Sequence, residues 1–219
     1  MGPATTGRRR RPSPDRRHGR CGRCGTVSAT YAIDHWTDHQ ETTMRKVVLY
    51  HLMSLDGVAY EDGDWLADDG PQLVAYLDRV IATQDDVLLG RGTYDYWAGY
   101  WPTSDFQPFA GFINGTRKHV VTSSVPTQEW ANSTLVTTPA HDYVTALKQG
   151  SGGDIGVHGS IELARSLLRA GLVDELRLVV APSVVGHGRR VFEGDDVQSW
   201  TLLEVGRGKN GTLFLDYSR

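Results

Sequence analysis

The 219-residue sequence has only two cysteines, Cys21 and Cys24. It has no apolar run near the roughly 20 residues that a membrane-spanning helix needs. So few cysteines exclude a disulfide scaffold, and no apolar stretch resembles a secretory leader, so the expected compartment is the cytoplasm. The lone Cys21-Gly-Arg-Cys24 lacks the second ligand pair of a tetrahedral zinc site, so no metal is expected, although His35 and His39 could complete such a set. Basic charge is scarce where a fold is expected: residues 44–219 hold 15 basic and 22 acidic side chains. Nucleic acid is excluded as a partner, because phosphate neutralisation needs clustered Lys and Arg. The combined H-x-E and P-C-x-x-C zinc pattern of nucleobase deaminases is also missing.

Eight Arg against four acids make residues 1–43 basic, and they sit among Gly, Pro and Ser without helical or strand periodicity. A disordered extension over 1–43 and a single folded domain over 44–219 are expected. Met44 stands directly before the first strand and is the expected natural start.

From there apolar β-prone runs alternate with helical periodicity. Strands are expected at 46–52, 86–89, 119–122, 134–137, 154–157 and 175–181. Helices are expected from Pro71 to about Thr83, from about Thr93 to Ala98, from Pro139 to Leu147 and from Ser160 to Ala170. The stretch from Tyr100 to Asn114 is expected to be an aromatic, Pro-containing loop. Asn210-Gly211 marks a C-terminal hairpin. The alternation implies an α/β fold with a mainly parallel central sheet flanked by helices, and the hairpin adds antiparallel pairing.

Three segments fall just beyond strands, where open α/β sheets bind ligands. In Leu89-Gly90-Arg91-Gly92-Thr93, the glycines permit close backbone approach, Arg91 offers a forked cation, and Thr93 stands at a helix N-terminus. In Val121-Thr122-Ser123-Ser124, two hydroxyls could hold a ribose or its 2′-phosphate, or only make a turn. In Val157-His158-Gly159-Ser160-Ile161, Gly159 and Ser160 open a helix in the manner of a pyrophosphate cradle. His158 is a ligand contact or a satisfied strand-end histidine. Together the three suggest a dinucleotide across one sheet edge.

With Ser54-Leu-Asp-Gly57, Gly171-Leu-Val-Asp-Glu-Leu176 and Pro182-Ser-Val-Val-Gly-His-Gly188, these segments make the chain resemble the dihydrofolate-reductase-like superfamily. The likeness spans residues 45–217 and is nearest to the reductase domain of bacterial riboflavin biosynthesis. The resemblance implies NADPH as cofactor and hydride transfer to a small heterocycle, pterin-like or aminopyrimidine-like, in a homodimer. It places Gly90, Arg91, Thr93, Ser123, Ser124, Gly159, Ser160 and Ile161 on the cofactor, and Ser54 and Trp65 beside the substrate. Asp56 is either a polar group at the reacting centre or a brace of its own loop. Asp68 and Asp69 lie near the acid of true dihydrofolate reductases, or are only helix N-terminal acids. Tyr94, Tyr96, Trp97, Tyr100 and Trp101 either stack on a flat ring or form a core cluster or dimer surface. The rival class is a nucleotide- or flavin-binding protein without turnover on the same fold.

Overall fold

In the computed structural model, residues 44–60, 70–194 and 197–219 are described. The expected 1–43 extension, Trp65, Asp68 and Asp69 lie outside them. All of the described residues fall within the unit Thr42–Arg219.

The first strand, β1 (Val47–Ser54), is flanked by two parallel partners, β6 (Asp154–His158) and β7 (Glu175–Ala181). Beyond β6 come β3 (Gln84–Gly90), β4 (Arg117–Val121) and β5 (Ser133–Val136), again parallel. On the other side the C-terminal hairpin, β9 (Thr201–Arg207) and β10 (Leu213–Ser218), joins β7 antiparallel through β10. The eight-stranded order is β5-β4-β3-β6-β1-β7-β10-β9. A small second sheet pairs β2 (Val58–Tyr60) with β8 (Arg189–Arg190).

Strands buried on both faces read as continuous apolar runs, and Val47-Val-Leu-Tyr50 and Val87-Leu-Leu89 are buried throughout. On one face, α4 (Ala140–Lys148) and α5 (Ile161–Arg169) pack against Val47, Leu49, Leu88, Ile155, Val157 and Leu178. On the other face lie α1 (Pro71–Ile81), α2 (Arg91–Tyr100) and α3 (Phe109–Gly115), over Tyr50, Val87, Leu89, Val120 and Val179. The α5 stripe is the cleanest, because Ile161, Ala164, Leu167 and Leu168 recur at helical spacing and all four are buried.

The expected loop over 100–114 is corrected: its second half is α3. Phe109, Ala110 and Ile113 bury one face there. A run of aromatics and Pro hides that periodicity in the sequence. The buried ammonium of Lys118 donates to the Ile113 and Thr116 carbonyls, both at 2.8 Å, and closes the helix C-terminus.

Candidate functional site

The carboxyl ends of β3 and β6 lie side by side, and a helix leaves each of them. α2 begins at Arg91, directly after Gly90, and α5 begins at Ile161, after two left-handed residues, Gly159 (φ +60°) and Ser160 (φ +54°). Glycine is required at 159. A Cβ there would stand 3.3 Å from Thr93 Cγ2 and 3.6 Å from the Trp97 ring, in a conformation L-residues avoid.

Two hydroxyls tie the helix starts together. The Gly90 N–H donates to Ser160 Oγ at 2.9 Å, and the Ser160 N–H donates to Thr93 Oγ1 at 3.0 Å. Each oxygen accepts from backbone, so each keeps its own O–H to donate. Around them opens a cleft of about 700 Å³, lined by His51, Ala59, Gly90 to Thr93, Tyr96, Trp97, Gly159 to Leu163 and Arg189. Nothing comes within 4 Å of where a Gly92 Cβ would stand, so a ligand can approach the backbone there. Both helix N-termini direct positive dipole ends to this edge.

Arg91 borders a second cleft of about 540 Å³, lined also by Thr122, Ser123, Ser124, Thr137 and Thr138. Its guanidinium donates to Asp95, one helical turn on, and to Ser124 Oγ. Asp95 in turn accepts from the Thr127 backbone and hydroxyl. Arg91 is thus held between the two clefts. Thr122 shapes the following turn, since its hydroxyl donates to the Ser124 carbonyl and accepts the Ser124 N–H. The cofactor-side residues expected from sequence all line one cleft or the other.

The substrate-side residues are placed differently. Ser54 is fully buried, and its hydroxyl donates to Asp56 at 2.7 Å while accepting the Val58 N–H at 3.0 Å. In this structure its hydroxyl is thus engaged within its own loop. The Asp56 carboxylate also accepts the Val185 and Gly186 N–H groups at 3.0 and 2.8 Å, with Arg190 at 3.4 Å. These bonds, led by the one from Ser54, hold its carboxyl well below the usual range. The bonding is that of a brace joining the 54–57 loop to the 183–190 loop, not of a proton donor.

His158 resolves as a strand-end histidine. It is buried among Tyr50, Phe109 and Phe112, bonded to Gln84 Oε1 at 2.7 Å, and burial pushes its pKa down to about 3. The aromatic set divides. Tyr94 packs on Trp130, and Trp97 and Trp101 meet Phe109, as a core cluster. Tyr96, 70% exposed and stacked on Tyr100, stands on the cleft wall. His51 was not among the expected site residues. It lines the cleft, and the one available signal was a polar residue inside an apolar strand.

The RibD C-terminal domain matches residues 45–214. The chain belongs to that family. It is 33% identical to the uncharacterized protein YwjB of Bacillus subtilis over 152 residues, covering 68% of this chain and 83% of that one. It is 27% identical to the uncharacterized protein YyaP of the same organism, covering 68% and 80%. Among solved structures, a putative riboflavin biosynthesis protein from Shewanella sp. PV-4 is similar with a TM-score of 0.62 at 18% identity, covering 80% of this chain and 98% of that one. A pyrimidine reductase-like protein from Corynebacterium diphtheriae gives 0.55 at 16%, covering 80% and 91%. These structural likenesses establish the reductase-like fold. Among the described residues no helix is long and apolar enough to cross a membrane, and no group of His, Cys, Asp and Glu is arranged for a metal ion.

Proposed function

We propose that the protein is an NADPH-dependent reductase that delivers hydride to a small planar heterocycle, pterin-like or aminopyrimidine-like. The observation that carries this reading is the convergence of the α2 and α5 N-termini on one cleft, with the Thr93 and Ser160 hydroxyl protons left without an acceptor among the described residues. Backbone N–H groups and two O–H donors, with Arg91 on the rim, suit the diffuse charge of a pyrophosphate. In this reading Gly90, Gly159, Ser160 and Ile161 meet the pyrophosphate with Thr93. Ser123 and Ser124, with Arg91 between the clefts, meet the adenosine ribose and its 2′-phosphate.

When bound, the nicotinamide supplies the hydride, and the chain's own part is position and electrostatics. Tyr96 and Trp97 form a wall against which a flat ring can lie. His51, with its pKa lowered by burial to about 4, stays neutral at physiological pH and adds no charge. Asp56 positions the neighbouring loops.

A soluble, cytoplasmic homodimer is part of the proposal. The edge strand β9 supports it, because Leu202, Leu203 and Val205 are half exposed or more on an otherwise unpaired edge. Sedimentation of wild type beside Leu203→Glu/Val205→Glu tests this, and a monomeric wild type removes it. The function is tested by titrating NADPH against tryptophan fluorescence. NADPH oxidation is then followed with a panel of pterins, ribityl-aminopyrimidines and quinones. Saturable binding with turnover on one class supports the proposal. Binding without turnover on any class supports a nucleotide-binding protein instead.

A further inference from the structure

The ladder between β1 and β6 ends at the pair Tyr50↔His158. One residue later β6 turns away into the left-handed pair Gly159 and Ser160. The Gly159 carbonyl loses its place in the ladder there, and a buried carbonyl without a partner is costly. The His51 ring takes that place, with Nε2 at 3.0 Å from the Gly159 oxygen. A carbonyl only accepts, so Nε2 carries the proton.

The same peptide plane is held at its other end. A trans peptide points its C=O and N–H in opposite directions. The carbonyl of the 159–160 peptide is held by His51 on β1, and its N–H by Thr93 on α2. Gly159 is the residue type that would allow this peptide to rotate. A half-turn would exchange the two and put the carbonyl oxygen beside Thr93 Oγ1, on the wall of the cleft between the α2 and α5 starts. An oxygen there repels an anion.

We propose that His51 is a positioning residue that, with Thr93, clamps the 159–160 peptide against rotation and so keeps the start of α5 competent to bind an anion. The inference rests on the pyrophosphate placement proposed above. His51 itself does not touch the phosphates. Its effect falls on the part of a dinucleotide shared by NADPH and NADH, and leaves the preference between them to Arg91.

The experiment compares wild type, His51→Leu and His51→Gln by fluorescence titration with NADPH and NADH, beside thermal denaturation. His51→Leu is expected to weaken both dinucleotides by tenfold or more, by the same factor. His51→Gln, whose amide reaches the place of Nε2, is expected to restore both to within about threefold of wild type. The common factor and the rescue are readouts that a general loss of packing would not produce. Should His51→Leu not fold, His51→Asn, whose shorter amide stops short of Gly159, takes its place with the same expectation. A leucine or asparagine variant that binds within threefold of wild type overturns the clamp, as does a loss confined to NADPH. If wild type binds neither dinucleotide, the cofactor proposal has failed, and the crystal structure of His51→Leu then decides the clamp alone. A rotated 159–160 peptide sustains it, and an unmoved one overturns it.

Discussion

The two ends of the parallel sheet invite opposite readings. At the amino end the charges look catalytic. Asp86, 1% exposed, accepts Nε and Nη2 of Arg117 in a bidentate pair at 2.7 and 2.8 Å, His119 at 2.8 Å and Arg45 at 2.6 Å. His119 in turn meets the Tyr143 hydroxyl at 2.8 Å. Yet every one of these groups is committed to another, and none of them lines the clefts described above. At the carboxyl end the charged side chains are paired too, Arg91 with Asp95 and Glu162 with Arg165, but the Ser and Thr hydroxyls at the two helix starts are only half used. Saturated charge at one end holds strands together. Unsaturated neutral donors at the other leave room for a ligand. Chemistry-bearing residue types are therefore a poorer guide here than unspent hydrogen-bonding capacity.

The sharpest way to separate the ends is to break the first. Asp86→Ala removes the shared acceptor of Arg45, Arg117 and His119 and leaves a buried gap, and is expected to destabilise the protein by about 3 kcal/mol in urea denaturation. Its effect on the affinity for NADPH, among molecules still folded, is expected to be negligible. A folded Asp86→Ala protein that has lost NADPH would join the two ends into one site.

The same carboxylate sets an acid limit. Burial alone would raise its pKa, but the hydrogen bonds from Arg117, His119 and Arg45 outweigh burial and lower it to about 2. The group is ionised more readily folded than unfolded, so its contribution is complete above about pH 4 and is lost as pH falls toward 2. Stability of wild type measured across that window is expected to fall more steeply than that of Asp86→Asn. Parallel curves would deny Asp86 this role.

At the other end smaller changes in stability should accompany larger changes in binding. Gly159→Ala forces a Cβ into a left-handed residue beside Thr93 and is expected to cost about 1–2 kcal/mol. Its NADPH affinity should drop by an order of magnitude or more in the fluorescence titration. Thr93→Val keeps the shape but removes the acceptor of the Ser160 N–H. It is expected to cost about 1 kcal/mol of stability and roughly tenfold in NADPH affinity. Asp56→Asn should give the smallest effect: a slightly lower melting temperature from a weakened loop brace, with the pH profile of turnover unchanged. A profile that loses an ionisation in that variant would restore Asp56 to the chemistry.

Much of this division was legible in the sequence, and the gaps have physical causes. The parallel strands announced themselves because burial on both faces demands unbroken apolar runs such as Val47 to Tyr50. Gly90 to Thr93 and Gly159 to Ile161 stood out because tight strand-to-helix turns require Gly and hydroxyl residues locally. The Asp86 network did not, because Arg45, Asp86 on β3, and Arg117 and His119 on β4 lie far apart in the chain and only the sheet brings them together. α3 was hidden by a composition that suits loops as well as helices. Ser54 had the right type for a ligand contact, and only burial shows its hydroxyl to be already used. His51 lay within a strand whose other residues serve the core, so its bond to Gly159 emerged only where two ladders part.

The central claim is that the half-used donors between α2 and α5 bind a phosphate-bearing dinucleotide. Titration of NADPH against the tryptophan fluorescence of wild type and Gly159→Ala tests it most directly, since Trp97 lies on the cleft wall. The account predicts saturable quenching in wild type that shifts to at least tenfold higher concentration in the variant. Equal curves for the two proteins, or no saturation in wild type, would contradict it.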